Sequence, residues 1–280
     1  MNNRSIYDEV CLAASRKTTR AFSTSFSLGV RVLDRELRDP IHAIYGFVRF
    51  ADEIVDTFHE HEREELLERF RADLDHAIAD RISLNPILHS FQQVLHAYGI
   101  ERELSDTFLD SMAMDLRRSA HDTGSFQQYI LGSAEVVGLM CLRVFCQGDD
   151  ALYERLKPHA MSLGAAFQKV NFLRDLGQDN VDLGRTYFPD TDPATMTPDQ
   201  KRRIEVDIEK DFAHALTGIG QLPRSARLGV HLAYLYYRSL FEKIRCTDAQ
   251  DLLSQRIRVR NQRKIGLLVG SYVRHHLYLL

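Results

Sequence analysis

Apolar residues recur at steps of three and four along nearly the whole chain, strict alternation is scarce, and only seven prolines and fifteen glycines interrupt its 280 residues. That period belongs to helices with one buried face, so the fold class is all-α. Helices are expected at about 5–20, 63–80, 86–98, 102–118, 126–146, 149–157, 159–179, 199–219, 223–245 and 249–275. A further start is read at Asp39-Pro40, an N-cap followed by proline at the first helical position. It opens a helix to about Thr57, with Ile41, Tyr45 and Val48 on its apolar stripe. No composition break marks a linker, so residues 1–280 read as a single domain, a helical bundle around a central cavity. The stretch from Asn180 to Pro198, with Gly184, Pro189, Pro193 and Pro198 among acids and threonines, reads as a loop able to cover a cleft.

A net charge of −3 gives no electrostatic footprint for nucleic acid, which needs a basic domain or stripe. Cys11, Cys141, Cys146 and Cys246 have neither zinc-site spacing nor the density of a disulfide scaffold, and are read as reduced core residues. The N-terminus, MNNRSIYDEV, lacks the apolar segment of a signal peptide. The longest uncharged apolar stretch, Val136 to Leu142, is too short to span a bilayer, and a cytoplasmic location is expected. His59-Glu60-His61-Glu62 follows one helix and opens a charged one, which fits a solvated turn better than a transition-metal site. From Arg256 onward the chain carries Arg256, Arg258, Arg260, Arg263, Lys264 and Arg274 with apolar residues between them and no acid. Such an end can rest on anionic lipid at the inner membrane face, or simply complete the bundle.

Continuing the stripe of the Asp39 helix by steps of three and four from Tyr45 and Val48 lands on Asp52, Val55 and Asp56. Two carboxylates one turn apart can present oxygens to the same ion, and Arg49 lies on that side. A single pair of this kind is common on solvated helices, but a second stripe changes the weighing. In KPHAMSLGAAFQKVNFLRDLGQDN, Gly164, Gln168, Asn171, Asp175 and Asp179 form one polar line among Phe167, Val170, Phe172, Leu173 and Leu176. A helix apolar on most sides is buried, so its polar line should face a cavity or another polar line. Two facing carboxylate pairs suit a hard cation completed by substrate phosphates. Arg49 and Arg174 could grip the same diphosphate, or pair with acids. Asp115, in SMAMDLRRS, reads as the charged edge of a core helix.

At this point the sequence resembles the squalene/phytoene synthases, most of all the bacterial phytoene synthases. The resemblance rests on STSFS (Ser23 to Ser27), AIYGFVRFADEIVD (Ala43 to Asp56), YILGSAEVVGL (Tyr129 to Leu139), FQKVNFLRDLGQD (Phe167 to Asp179) and GRTYFP (Gly184 to Pro189), in family order across nearly the whole chain. It implies an isoprenoid-synthase helical bundle. It also implies a Mg²⁺ cluster, replaceable by Mn²⁺, on Asp52, Asp56, Asn171, Asp175 and Asp179, with no NADPH for phytoene. Ser23, Ser25, Arg49, Gln168, Arg174, Tyr187 and Tyr237 would line the diphosphate and cation sites, and Tyr187 joins the four aspartates as catalytic. One departure stands out: where many members have an aromatic residue and then Ala-Gly, this chain has Leu131 and Ala134-Glu135. Tyr129 could stand in, or Glu135 could reshape a polar edge or pair with a neighbouring arginine.

The activity so implied is head-to-head joining of two prenyl diphosphates through a cyclopropyl diphosphate. Motif style favours two C20 geranylgeranyl chains giving phytoene, over two C15 farnesyl chains giving dehydrosqualene or squalene. Tunnel depth, set by side chains such as Phe26, Phe47, Leu139 and Phe167, should decide. A catalytically inactive scaffold on the same fold has no need of a buried acid cluster, and a terpene cyclase fits STSFS poorly. Expected partners are prenyl diphosphates and a membrane surface, with monomer and homodimer both open.

Overall fold

Local signals start and stop the helices. Asn85 accepts from the backbone N–H groups of Ile87 (3.0 Å) and Leu88 (3.4 Å), Pro86 follows it, and Gly99 at φ +62° closes the same helix. Capping boxes at Asp122/Ser125 and Thr197/Gln200 open two others. The computed structural model describes residues 2–117, 121–182, 187–254 and 257, with the side chains of 178–182 and 254 left out. In chain order the helices are α1 (Asn3–Phe22), α2 (Thr24–Arg31), α3 (Arg35–Asp56), α4 (Arg63–Asp80), α5 (Pro86–Tyr98) and α6 (Arg102–Arg117). Then come α7 (Thr123–Ile130), a π-helical turn (Leu131–Glu135), α8 (Val136–Cys146), α9 (Asp150–Asp182), α10 (Pro198–Ile219), α11 (Arg224–Arg245) and the short α12 (Asp251–Ser254). No strand occurs among the described residues, and the fold is all-α as expected.

Two apolar cores flank a central space. The first gathers around α3 with α4, α5, α6 and α8, and at its centre Phe47 stacks on Phe91, with ring centroids 4.1 Å apart. The second gathers around α9 with α7, α10 and α11. The two halves meet where the π-helical turn and α8 run antiparallel to α9. There a Cβ on Gly164 would lie 2.6 Å from the Ala134 carbonyl oxygen, and one on Gly138 would lie 2.9 Å from that of Ala160. Only glycine allows this backbone approach.

Several expectations need correction. Asp39-Pro40 does not start a helix: α3 begins at Arg35, Pro40 lies inside it, and Asp39 is held by Arg16 (2.7 Å). The carbonyl that Pro40 cannot serve belongs to exposed Glu36, so water can serve it. Pro158 likewise does not divide α9, because Glu154 and Pro158 both lie on its solvent side. Helix α2 was missed altogether; its first turn is Ser- and Thr-rich, and Ser23 caps it by accepting from Phe26 N–H at 3.2 Å. The expected helix 126–146 contains the π-helical turn. By length and composition the run Thr123–Cys146 could cross a membrane, well beyond the seven residues first read; half of its most apolar window is buried against the rest of the bundle. Not all cysteines are core: Cys246, at the end of α11, is exposed, and Cys141 lines the central cavity. His59, Glu60, His61 and Glu62 are exposed, as read. Of the expected helix 249–275, only Asp251–Ser254 is described as helix, and the basic residues from Arg256 onward lie outside the described residues.

Candidate active site

The space between the two cores is a cavity of about 420 Å³, the size of a small-molecule site. Its polar end is lined by Ser23, Ser25, Tyr45, Gln168, Arg174, Tyr236 and Tyr237. Its walls are apolar, and at the far end Leu142, Phe145, Leu156 and Leu222 close it. Along α9 the lining runs from Arg174 down to Leu156, a depth of roughly 27 Å at the helical rise. Of the four residues expected to set tunnel depth, Phe26 and Phe167 line the cavity. Phe47 and Leu139 do not: Phe47 fills the first core, and Leu139 is buried away from the lining.

Both carboxylate helices reach the polar end, and two tyrosines connect them. Tyr45 on α3 stacks on Phe26 (4.8 Å) and is pushed up to about 12 by burial; its hydroxyl also feels Arg49, Asp52, Ser23 and Tyr237. Tyr237 on α11 stacks on Phe167 (3.9 Å) and donates to Asn171 Oδ1 (3.3 Å), while Asn171 Nδ2 donates to Gln168 Oε1 (3.4 Å). Burial raises Tyr237 too, and it feels Arg174, Asn171 and Asp175. The sequence stripe Gln168, Asn171, Asp175 is thus a contiguous polar line beside the cavity mouth. Gly164, in the same line, serves the close packing against Ala134.

The charges are distributed unevenly. The Asp52 carboxyl is raised to about 7, chiefly by burial and then by the charges of Asp56 and Asp115, with Arg49 opposing. Arg49 itself lies over the Phe22 ring (4.4 Å) and pairs with Glu53, whose other oxygen accepts from Thr57 (2.8 Å). Arg174 pairs with Asp175, with Nε 3.0 Å from Oδ1. Two residues absent from the sequence reading of the site enter here. Glu53 takes the arginine expected to face phosphate. Asp115 on α6, nearly buried, adds its charge to that of Asp52 and accepts from the Tyr129 hydroxyl at 2.5 Å. Its position on a core helix gave no signal in the sequence beyond a lone acid among apolar residues.

Tyr187 does not line the cavity. It is buried in an aromatic stack with Phe172 (3.9 Å), Tyr129 (5.3 Å) and His121 (5.8 Å). Tyr129 does not stand in for the missing aromatic at 131, since its hydroxyl is turned to Asp115. Glu135 meets a lysine's field rather than an arginine: its carboxyl is raised to about 7, chiefly by burial and also by Asp211, with Lys169, itself held by Asp207 and Asp211, opposing. The side chain of Asp179 lies outside the described residues, as does Gly184 to Thr186 of the GRTYFP element.

Among the described residues no three acids, histidines or cysteines lie close enough to form a protein-only cage for an ion. The donor set fits a divalent cation of another kind. Half-buried Asp52 stands one turn from exposed Asp56 while Arg49, on the same side of α3, is held by Glu53, and Mg²⁺ ordinarily takes one or two carboxylates and completes its shell from substrate phosphate and water.

The squalene/phytoene synthase family model matches residues 19–263 of the chain. The chain belongs to the squalene/phytoene synthase family. A phytoene synthase of Rhodobacter capsulatus is 28% identical across 94% of this chain and 80% of its own length. A presqualene diphosphate synthase of Zymomonas mobilis is 32% identical over 69% of this chain and 63% of its own. The fold matches a crystal structure of a dehydrosqualene synthase in complex with ligand, with TM-score 0.81, 18% identity and 98% coverage of both chains. A squalene synthase from Alicyclobacillus acidocaldarius gives TM-score 0.73 at 22% identity, over 86% of this chain and 95% of that one. As a member of this family, the chain is a prenyltransferase that condenses prenyl diphosphates head to head.

Proposed function

We propose that this synthase joins two C20 geranylgeranyl diphosphates to give phytoene, without NADPH. The observation that carries the reading is the reach of the cavity: its lining runs roughly 27 Å along α9, from Arg174 at the polar mouth to Leu156 at the closed end, which gives room for a diphosphate and the extended C20 chain behind it. The name of the relative matched over most of the chain, a phytoene synthase, points the same way.

In this reading Asp52, Asp56, Asn171, Asp175 and Asp179 would hold Mg²⁺, whose charge would offset that of the departing diphosphate. Ser23, Ser25, Gln168 and Tyr237 present donors at the mouth, and Arg49 and Arg174 exchange part of their carboxylate pairing for phosphate oxygens. Loss of diphosphate leaves an allylic cation; the second chain's double bond attacks it to give the cyclopropyl diphosphate, which ionises in turn. The apolar walls and the faces of Tyr45, Phe167 and Tyr237 keep water away from the cation and favour it electrostatically. Tyr187 acts at most through the aromatic stack it completes. Peripheral contact with a membrane and a cytoplasmic location belong to the same proposal.

The test is a comparison of kcat/KM for geranylgeranyl and farnesyl diphosphate, each with Mg²⁺ and with or without NADPH. A clear preference for the C20 substrate with no effect of NADPH is expected. A preference for the C15 substrate would move the assignment to dehydrosqualene or squalene.

A further inference from the structure

Leu131–Glu135, between α7 and α8, forms a π-helical turn. Such turns widen a helix locally and recur at functional sites. Of its five residues only Ser133 and Ala134 line the cavity, while Leu131 packs against the first core. The Ser133 hydroxyl has no hydrogen-bond partner among the described residues. A serine in a regular helix commonly returns its hydroxyl to the carbonyl one turn back, and leaving it unsatisfied is costly.

Its height in the tunnel follows from the packing of α7, the turn and α8 on α9. Phe126 meets Phe172 (6.4 Å between ring centroids), Ala134 meets Gly164, and Gly138 meets Ala160. This antiparallel register sets Ser133 level with Ala165, three residues or roughly 4.5 Å below Gln168. It stands where the polar mouth gives way to apolar wall, the level at which the first carbons of a chain anchored by its diphosphate must lie. Three other polar groups of the lining are engaged: Gln168 with Asn171, Tyr237 with Asn171, and His159 with the His214 carbonyl (3.0 Å).

We propose that Ser133 is a catalytic residue of the cation site, its hydroxyl oxygen turning to the allylic cation formed when diphosphate leaves. The inference rests on the head-to-head reading of this cavity but not on the choice between C20 and C15. An oxygen dipole fixed in a dry cavity acts on charge that develops only after ionisation, so it should lower the barrier without tightening substrate binding.

The experiment compares the parent with Ser133→Ala and Ser133→Thr, using whichever of geranylgeranyl or farnesyl diphosphate the parent turns over with Mg²⁺, and records kcat, KM and Tm. The alanine variant should lose about tenfold in kcat with KM within about twofold, and its Tm should not fall, because it discards an unsatisfied hydroxyl. Threonine, which keeps the hydroxyl, should restore most of kcat. An alanine variant with parental kcat, or one whose lost activity tracks a lowered Tm, overturns the role of Ser133 and leaves the head-to-head reading standing. A parent that turns over neither substrate overturns both.

Discussion

Helices α3 and α9 carry carboxylate motifs that look equivalent in sequence, and the structure treats them differently. On α9, Asp175 already has a cation, because Arg174 folds back on it, and Asn171 is tied into a chain with Gln168 and Tyr237. On α3, Arg49 goes to Glu53, while Asp52 is left desolvated beside Asp56 with Asp115 adding further negative charge. On α9 the motif's arginine is tied to the motif's own aspartate, whereas on α3 it is tied to Glu53 and the Asp52 carboxyl is raised. The lesson is that acid spacing on a helix marks a site, while the side chains one turn away decide which acids are available to a metal.

The sharpest way to break this comparison is Asp52→Asn. If α3 holds the acid most in need of a cation, Mg²⁺-dependent diphosphate release should fall by about 10³-fold, several kcal/mol of transition-state stabilisation. Unchanged release would remove Asp52 from the metal assignment. Arg174→Ala comes next. It strips the partner from Asp175 and a grip from phosphate, and kcat/KM should fall by about 10²-fold, the size of a lost hydrogen bond to a charged group. A drop as large as that of Asp52→Asn would show that the α9 side is not the milder one. Tyr237→Phe removes one bond to Asn171, costs about 1 kcal/mol, and should lower kcat/KM several-fold; a steady-state assay at matched Mg²⁺ reads it.

The smallest effect concerns Glu135, beside Lys169 on the outer side of α9. Its carboxyl is raised to about 7 in the folded protein from an ordinary 4.5, so the folded state holds a proton that the unfolded chain releases. Stability from this group is therefore complete below about 4.5 and is lost as pH rises toward 7. Glu135→Gln should flatten the fall in Tm across that window; equal slopes for parent and variant would place Glu135 in water.

The all-helical class was legible in the sequence as periodicity, and the ends of α5 coincide with Asn85-Pro86 and Gly99, local signals whose effect does not depend on packing. The two prolines misled because a missing N–H is cheap wherever the facing carbonyl meets solvent, and exposure is a tertiary property. The site stripe Gln168, Asn171, Asp175 was legible as periodicity. The company of Asp52 was not, since Asp115 comes from α6, more than sixty residues away in the chain. Nor was the burial of Tyr187 under Phe172, for neighbours in GRTYFP say nothing about which ring stacks on it.

The most direct measurement is the mass of the hydrocarbon extracted after the purified protein is incubated with Mg²⁺ and geranylgeranyl diphosphate without NADPH. A C40 product is expected. No hydrocarbon from geranylgeranyl diphosphate, with a C30 product from farnesyl diphosphate instead, would contradict the C20 reading, and no product from either would contradict the account of the cavity as a working synthase site.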